Sequence, residues 1–160
     1  MKGPRLAVAF AVTMAVAAVA AVAGVGSAAA REAAAPDIVL AGFTSQQYPA
    51  FFKIATPGRA LTIGAIALDM SCTSGAEFVF HDAFGPVRIK PNGRMRASVV
   101  IPPTAESSGQ TVSGSDSLRA RLGSRHTELS GVWRLQLNYS FTNGMSDRCD
   151  SGPVRFVATT

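Results

Sequence analysis

The chain has 160 residues, 48% of them hydrophobic and 16% charged, with a formal net charge of +5. This is too apolar for an intrinsically disordered chain and too short for a multidomain one. The excess of positive charge is too small to argue for nucleic acid, and no aromatics interleave with the basic residues as single-strand binding would require.

In chain order, the first expected element is an export signal. Met1 to Arg5 carries Lys2 and Arg5 and no acid. An apolar stretch built mostly from Ala and Val follows, from Leu6 to about Val25, and the small residues Gly26, Ser27, Ala28, Ala29 and Ala30 close it. Positive start, apolar middle and small-residue exit are the parts of a signal peptide. The stretch reaches the roughly 20 residues that span a bilayer. However, Ala adds little hydrophobicity, and several small-x-small sites follow at once. The expectation is a helical signal peptide over 1–30, cut after Ala29 or Ala30, with Ala35 as a later site inside the 28–36 window. Membrane contact is then expected only through this segment before cleavage. Removing Lys2 and Arg5 from the 15 basic residues leaves 13 against 10 acids, a net charge of +3.

Residues 31–37 read as a flexible lead-in and 38–160 as a single domain. From Ile38 onward the dominant signal is alternation, the period of a half-buried strand. Phe51 to Ala55 and Glu77 to Phe80 are short candidates. Ile66, Leu68, Met70 and Cys72 share a face. Val87 and Ile89 oppose Arg88 and Lys90; Met95, Ala97, Val99 and Ile101 oppose Arg94, Arg96 and Ser98. Leu118, Ala120 and Leu122 oppose Arg119 and Arg121. The clearest run is Val132 to Phe141, with Trp133, Leu135, Leu137, Tyr139 and Phe141 on one side. Val154, Phe156 and Ala158 form the last.

Turn chemistry separates these runs: Pro57-Gly58, Ser74-Gly75, Asn92-Gly93, Ser108-Gly109, Asn143-Gly144 and Ser151-Gly152-Pro153. Val87 to Ala97 reads as a hairpin about Asn92-Gly93. About eight or nine short strands with frequent turns predict an antiparallel β-sandwich, Ig-like or jelly-roll-like. In an exported chain the two cysteines, Cys72 and Cys149, read as one disulfide.

The segment Cys149-Asp150-Ser151-Gly152-Pro153 tempts a nucleophile reading. A triad needs a His and an Asp converging on the Ser, and neither His81 nor His126 has a recognisable setting. Read as an aspartic-protease loop, the tripeptide lacks its second copy. The expectation is a polar turn that leads into the last strand. Metal-ligand spacing is absent around His81-Asp82 and His126-x-Glu128. Glu77, Asp82, Glu106, Asp116, Glu128 and Asp147 are available for acid–base work, but nothing in the sequence pairs them. No catalytic residue, metal site or cofactor is assigned. Arg88, Lys90, Arg94 and Arg96, on both arms of the expected hairpin, are the candidate basic stripe. An anionic envelope polymer or another secreted protein would suit it.

Two segments carry a resemblance. Leu40-Ala-Gly-Phe-Thr-Ser-Gln46 resembles a Phe-x-Gly-x-Thr-Ser-Gln pattern, and Cys149-Asp-Ser-Gly-Pro-Val-Arg-Phe-Val-Ala158 resembles a Cys-x-Ser-Gly-x-Val-x-aromatic-x-Ala pattern. Together they are similar to a family of small secreted β-domain proteins of high-GC bacteria. The resemblance implies a compact β domain with one disulfide and brings no catalytic residues. The leading functional expectation is a secreted or envelope-associated, non-catalytic binding or structural module. A small exported hydrolase acting on glycan, peptide or ester is one alternative, and an inhibitor of secreted proteases is another.

Overall fold

The computed structural model describes residues 36–55, 60–106 and 108–160. The signal-peptide reading, most of the lead-in and the Pro57-Gly58 turn fall outside them. Ten antiparallel strands are present, and no helix is found among the described residues. They are β1 (Ile38–Thr44), β2 (Pro49–Ala55), β3 (Ala60–Cys72), β4 (Glu77–Phe84), β5 (Val87–Arg88), β6 (Arg94–Ala105), β7 (Gln110–Leu122), β8 (Glu128–Phe141), β9 (Ser146–Asp150) and β10 (Val154–Thr159).

One layer is β4 and β5 on β3, then β2, then β1. The other is β10, β8, β7 and β6, with β9 beside β8. The layers are continuous, because β1 pairs with β2 on one edge and β10 on the other. β9 and β10 behave as one interrupted strand along β8: Ser146 to Asp150 pair with Ser140 to Gln136, and Val154 to Thr159 pair with Trp133 to Glu128. At the break Ser151 maintains the ladder. Its N–H donates to the Leu135 carbonyl at 3.0 Å, and its Oγ accepts the Leu135 N–H at 3.0 Å. The other edge of β9 meets the end of β3, with Cys72 directly opposite Cys149, and the two are disulfide-bonded. The sandwich is thus closed along one side. Along the other, β4 pairs only with β3 and β6 only with β7, so both are free edges among the described residues.

Alternation drives this folding. Inward positions such as Leu40, Phe52, Ile54, Leu68, Met70, Leu118, Leu129, Trp133, Leu135 and Phe156 are buried, and their neighbours along the strands face outward. Aromatic contacts stitch the layers: Phe52 stacks on Phe156 at 4.7 Å, while Phe84 meets Trp133 edge-on at 5.7 Å. The Trp133 ring is fully buried.

One turn design recurs. At Thr44, Cys72, Lys90, Glu106 and Phe141, the residue's N–H donates to the carbonyl four positions on, and its carbonyl accepts the N–H three positions on. The residue at that third position has positive φ: Gln47, Gly75, Gly93, Gly109 and Gly144. This is a three-residue turn whose last residue is left-handed, which is why glycine recurs there.

Three readings change. Cys149 lies within β9 rather than in the turn before the last strand. The expected 87–97 hairpin is only a turn: Lys90 N–H reaches the Arg94 carbonyl at 2.9 Å, but β5 pairs with β3 and β6 with β7. Strand β7 begins at Gln110, well before Leu118, because a run rich in Ser and Thr continues the ladder with β8.

Candidate anion-binding face

Strand β6 carries Arg94-Met95-Arg96 and β7 carries Arg119-Ala120-Arg121. With a side-chain period of two, each Arg pair faces outward while Met95 and Ala120 face the core. The register sets Arg94 directly opposite Arg121 and Arg96 opposite Arg119. Four guanidinium stems therefore rise from a patch about 5 Å by 7 Å at the backbone. The second row continues through Val132 of β8 to Arg155 of β10. Like charges directly opposite each other destabilise a sheet, and nothing neutralises these. The two ion pairs among the described residues are Lys53–Asp37 and Arg134–Asp150. Glu128 is exposed at the end of β8 and makes no ion pair.

The patch runs into a hollow of about 570 Å³ where the 90–94 and 123–127 turns meet, lined by Arg88, Lys90, Asn92, Arg121, Ser124 and His126 among others. The Leu122 N–H donates to the Gly93 carbonyl at 2.9 Å and ties the turns together. His126 holds its place in the wall with φ of 59°, a conformation few non-glycine residues adopt. The volume falls in the range of small-ligand sites. Arg121 belongs to both hollow and patch, so the two form one cationic surface.

The structure therefore distributes the four residues of the expected stripe over two places. Arg88 and Lys90 line the hollow, and Arg94 and Arg96 stand on β6. Arg119, Arg121, Arg155 and His126 complete the surface. Their signal was the Arg-x-Arg repeat in two strands, which becomes a cluster only once β6 and β7 pair.

A carboxyl pair lies on the open side of the sandwich. Asp82 of β4 accepts the Trp133 indole N–H at 3.1 Å. Asp116 of β7 is 5% exposed, and its Oδ1 has no hydrogen-bond partner. Burial, and secondarily the Asp82 carboxylate, push the Asp116 carboxyl up to about 7. Burial also raises Asp82. With its carboxyl at about 7, Asp116 is partly protonated near neutral pH and fully protonated in mildly acidic solution.

The motif residues fulfil architectural tasks. Thr44 Oγ1 accepts the Gln46 and Tyr48 N–H groups, and Ser45 Oγ accepts the Arg155 N–H. The Gln46 side-chain amide substitutes for a strand beside Asp69, accepting its N–H at 3.0 Å and donating to its carbonyl at 3.4 Å. Ser151 is bound to backbone on both sides, since its hydroxyl also donates to the Gly152 carbonyl at 2.8 Å. The Asp150 carboxylate takes Arg134, Gln136 and the Gly152 N–H, and the Arg134 hydrogen bond foremost lowers it to about 2. Cys72, Cys149 and Asp147 come within metal-ligand reach of one another. The disulfide occupies both sulfurs, and Asp147 is bonded to Thr73 and Ser74.

No protein-family model, no curated protein and no solved structure matches this chain.

Proposed function

We propose that the protein is an exported, envelope-associated or secreted binding module whose arginine face holds an anionic polymer, without catalysis. The observation that carries this reading is the unneutralised Arg94–Arg121 and Arg96–Arg119 pairs. A sheet that sets like charges opposite each other loses stability for it, and an anionic ligand reverses the sign of that interaction. Guanidinium forks suit phosphate or carboxylate groups bidentately. The adjoining hollow would take one unit of the chain, while the rows follow its repeat. The disulfide fits an oxidising compartment and supports the export reading. The likeness to small secreted β-domain proteins of high-GC bacteria belongs with the same proposal.

The test uses inorganic polyphosphate and poly-glutamate as probes, with neutral dextran as control. Binding to the anionic polymers should weaken steeply with added salt, as screening demands. Arg119→Thr with Arg121→Thr should lose most of the affinity while the melting temperature stays level or rises, because like-charge repulsion is relieved. Binding that the double substitution leaves unchanged would refute the assignment.

A further inference from the structure

Beyond the arginine rows, the outward side of β10, β1, β2 and β3 is apolar. Val39, Phe43, Phe51, Ile63 and Val157 are each between 52% and 68% exposed. Strand register sets them side by side. Val157 faces Phe43, Ala41 faces Phe51, and Lys53 lies between Val39 and Ile63. The positions between the large side chains are small: Ala41 lies on one side of Phe51 and Ala65 on the other. The charged side chain inside the patch, Lys53, is neutralised by Asp37 at 2.8 Å. The patch is therefore low in relief, apolar and electrically neutral.

We infer that this face is the contact of a symmetric homodimer. Three arguments favour a second copy over other occupants. The first is area. Phe43 and Phe51, at about 150–250 Å² for a whole aromatic side chain, and the three smaller aliphatic side chains, each half to two-thirds exposed, leave roughly 400–500 Å² open. That is towards the upper end of the roughly 300–600 Å² that the largest apolar patch of a typical monomer covers, a size that is often functional. With the Ala floor, Pro49, Thr159 and the Lys53 stem, the patch approaches the roughly 800 Å² per partner of a stable interface.

The second argument is charge. A two-fold contact brings the same patch against itself, and this neutral one meets no repulsion. The third is shape. Strands rotate by about 20–25° from neighbour to neighbour. From β7 to β2, four steps away, the wall turns through about a right angle. A flat anionic bilayer lying on the β1–β3 part of the patch could not also engage the Arg94–Arg121 and Arg96–Arg119 pairs. The dimer leaves the Arg94–Arg121 and Arg96–Arg119 pairs outside the contact, with Arg155 at its border two residues from Val157, so this inference is tested separately from the anionic-polymer reading.

Sedimentation velocity of the purified protein from micromolar to millimolar concentration tests it. The mass should rise from one chain to two. Phe43→Glu and Val157→Glu, both at exposed positions, should each weaken association by roughly tenfold or more with an unchanged melting temperature. If Phe43→Glu proves unfolded, Ile63→Lys serves in its place. A one-chain mass at every concentration would overturn the inference, and so would a dimer indifferent to folded variants. Recovery of the monomer on phosphatidylcholine–phosphatidylglycerol vesicles, abolished by Phe43→Glu, would overturn it in favour of a lipid partner.

Discussion

Along one side of the sandwich the layers are joined by paired strands, by the Cys72–Cys149 bond and by the Ser151 ladder contacts. Along the other, the free edges β4 and β6 face solvent, and polar contact between the layers runs through Asp82, Asp116 and Trp133. The closed side is fixed by covalent and backbone groups, which do not titrate near neutrality. The open side depends on a carboxyl that does. The same fold is therefore exposed to reductant on one side and to pH on the other, and the two can be varied separately.

The largest effect should come from the closed side. β3 pairs with β9 at Ser71–Asp150 and Cys72–Cys149, the turn after β3 adds the Thr73 N–H to the Arg148 carbonyl and the Thr73 and Ser74 bonds to Asp147, and the bridge is the covalent tie of that junction. With the cysteines 77 positions apart, the chain-entropy model assigns about 4 to 5 kcal/mol. Cys72→Ser with Cys149→Ser should lower stability by about 2 to 5 kcal/mol in chemical denaturation. An unchanged midpoint would mean that the paired strands alone close this side.

The open side should show the next largest effect, as pH dependence. Asp116 titrates near 7 when folded and near 3.8 when unfolded, so folding takes up a proton between those values. Stability is then highest at the acid end of that window and falls as pH rises towards 7, by at most about 4 kcal/mol and by less once solvent screening is counted. Asp150 acts oppositely. Its carboxyl, lowered to about 2, contributes stability above pH 3.8 that is lost as pH falls towards 2. The melting temperature should therefore peak in mildly acidic buffer and decline between pH 5 and pH 8. Asp116→Asn should flatten that decline while leaving the acid limb in place. A wild-type melting temperature constant from pH 5 to pH 8 would show that the open side does not depend on a protonated Asp116.

The smallest of the three effects sharpens the comparison at the closed side. Ser151→Ala removes the acceptor of the Leu135 N–H, and an unsatisfied buried donor costs about 1 to 3 kcal/mol. The loss should be independent of pH, unlike that of the carboxyl pair, and binding to polyphosphate should survive it. A polymer-binding defect in folded Ser151→Ala would tie this turn to the ligand surface.

Much of the fold was legible because a strand writes its burial pattern with a period of two. Trp133, Leu135 and Leu137 announced β8 and its inward face, and Leu118, Ala120 and Leu122 the end of β7. What escaped was polar. Thr111 to Ser117 has no apolar alternation to announce a strand, yet it pairs residue by residue with β8. Ser146 to Asp150 holds one apolar position, Cys149, which together with Asp150 reads as part of the polar turn before the last strand. Val99 alternates correctly with Ser98 but is 49% exposed, as an inward position can be on an edge strand. The Arg-x-Arg repeats were visible, whereas their merging into one cluster was not.

The sequence by itself determined the all-β class, the cysteine pair and the outward direction of the arginines, since each follows from local alternation or from a count with one solution. Only the tertiary structure decided which strands are neighbours. That choice put Arg94 against Arg121, brought Asp82 close enough to raise the Asp116 carboxyl, and set Val157 beside Phe43. Each pairing joins residues far apart in the chain, through backbone hydrogen bonds that any side chain permits. No local pattern could have specified them, because the register is selected by the burial of the whole core at once.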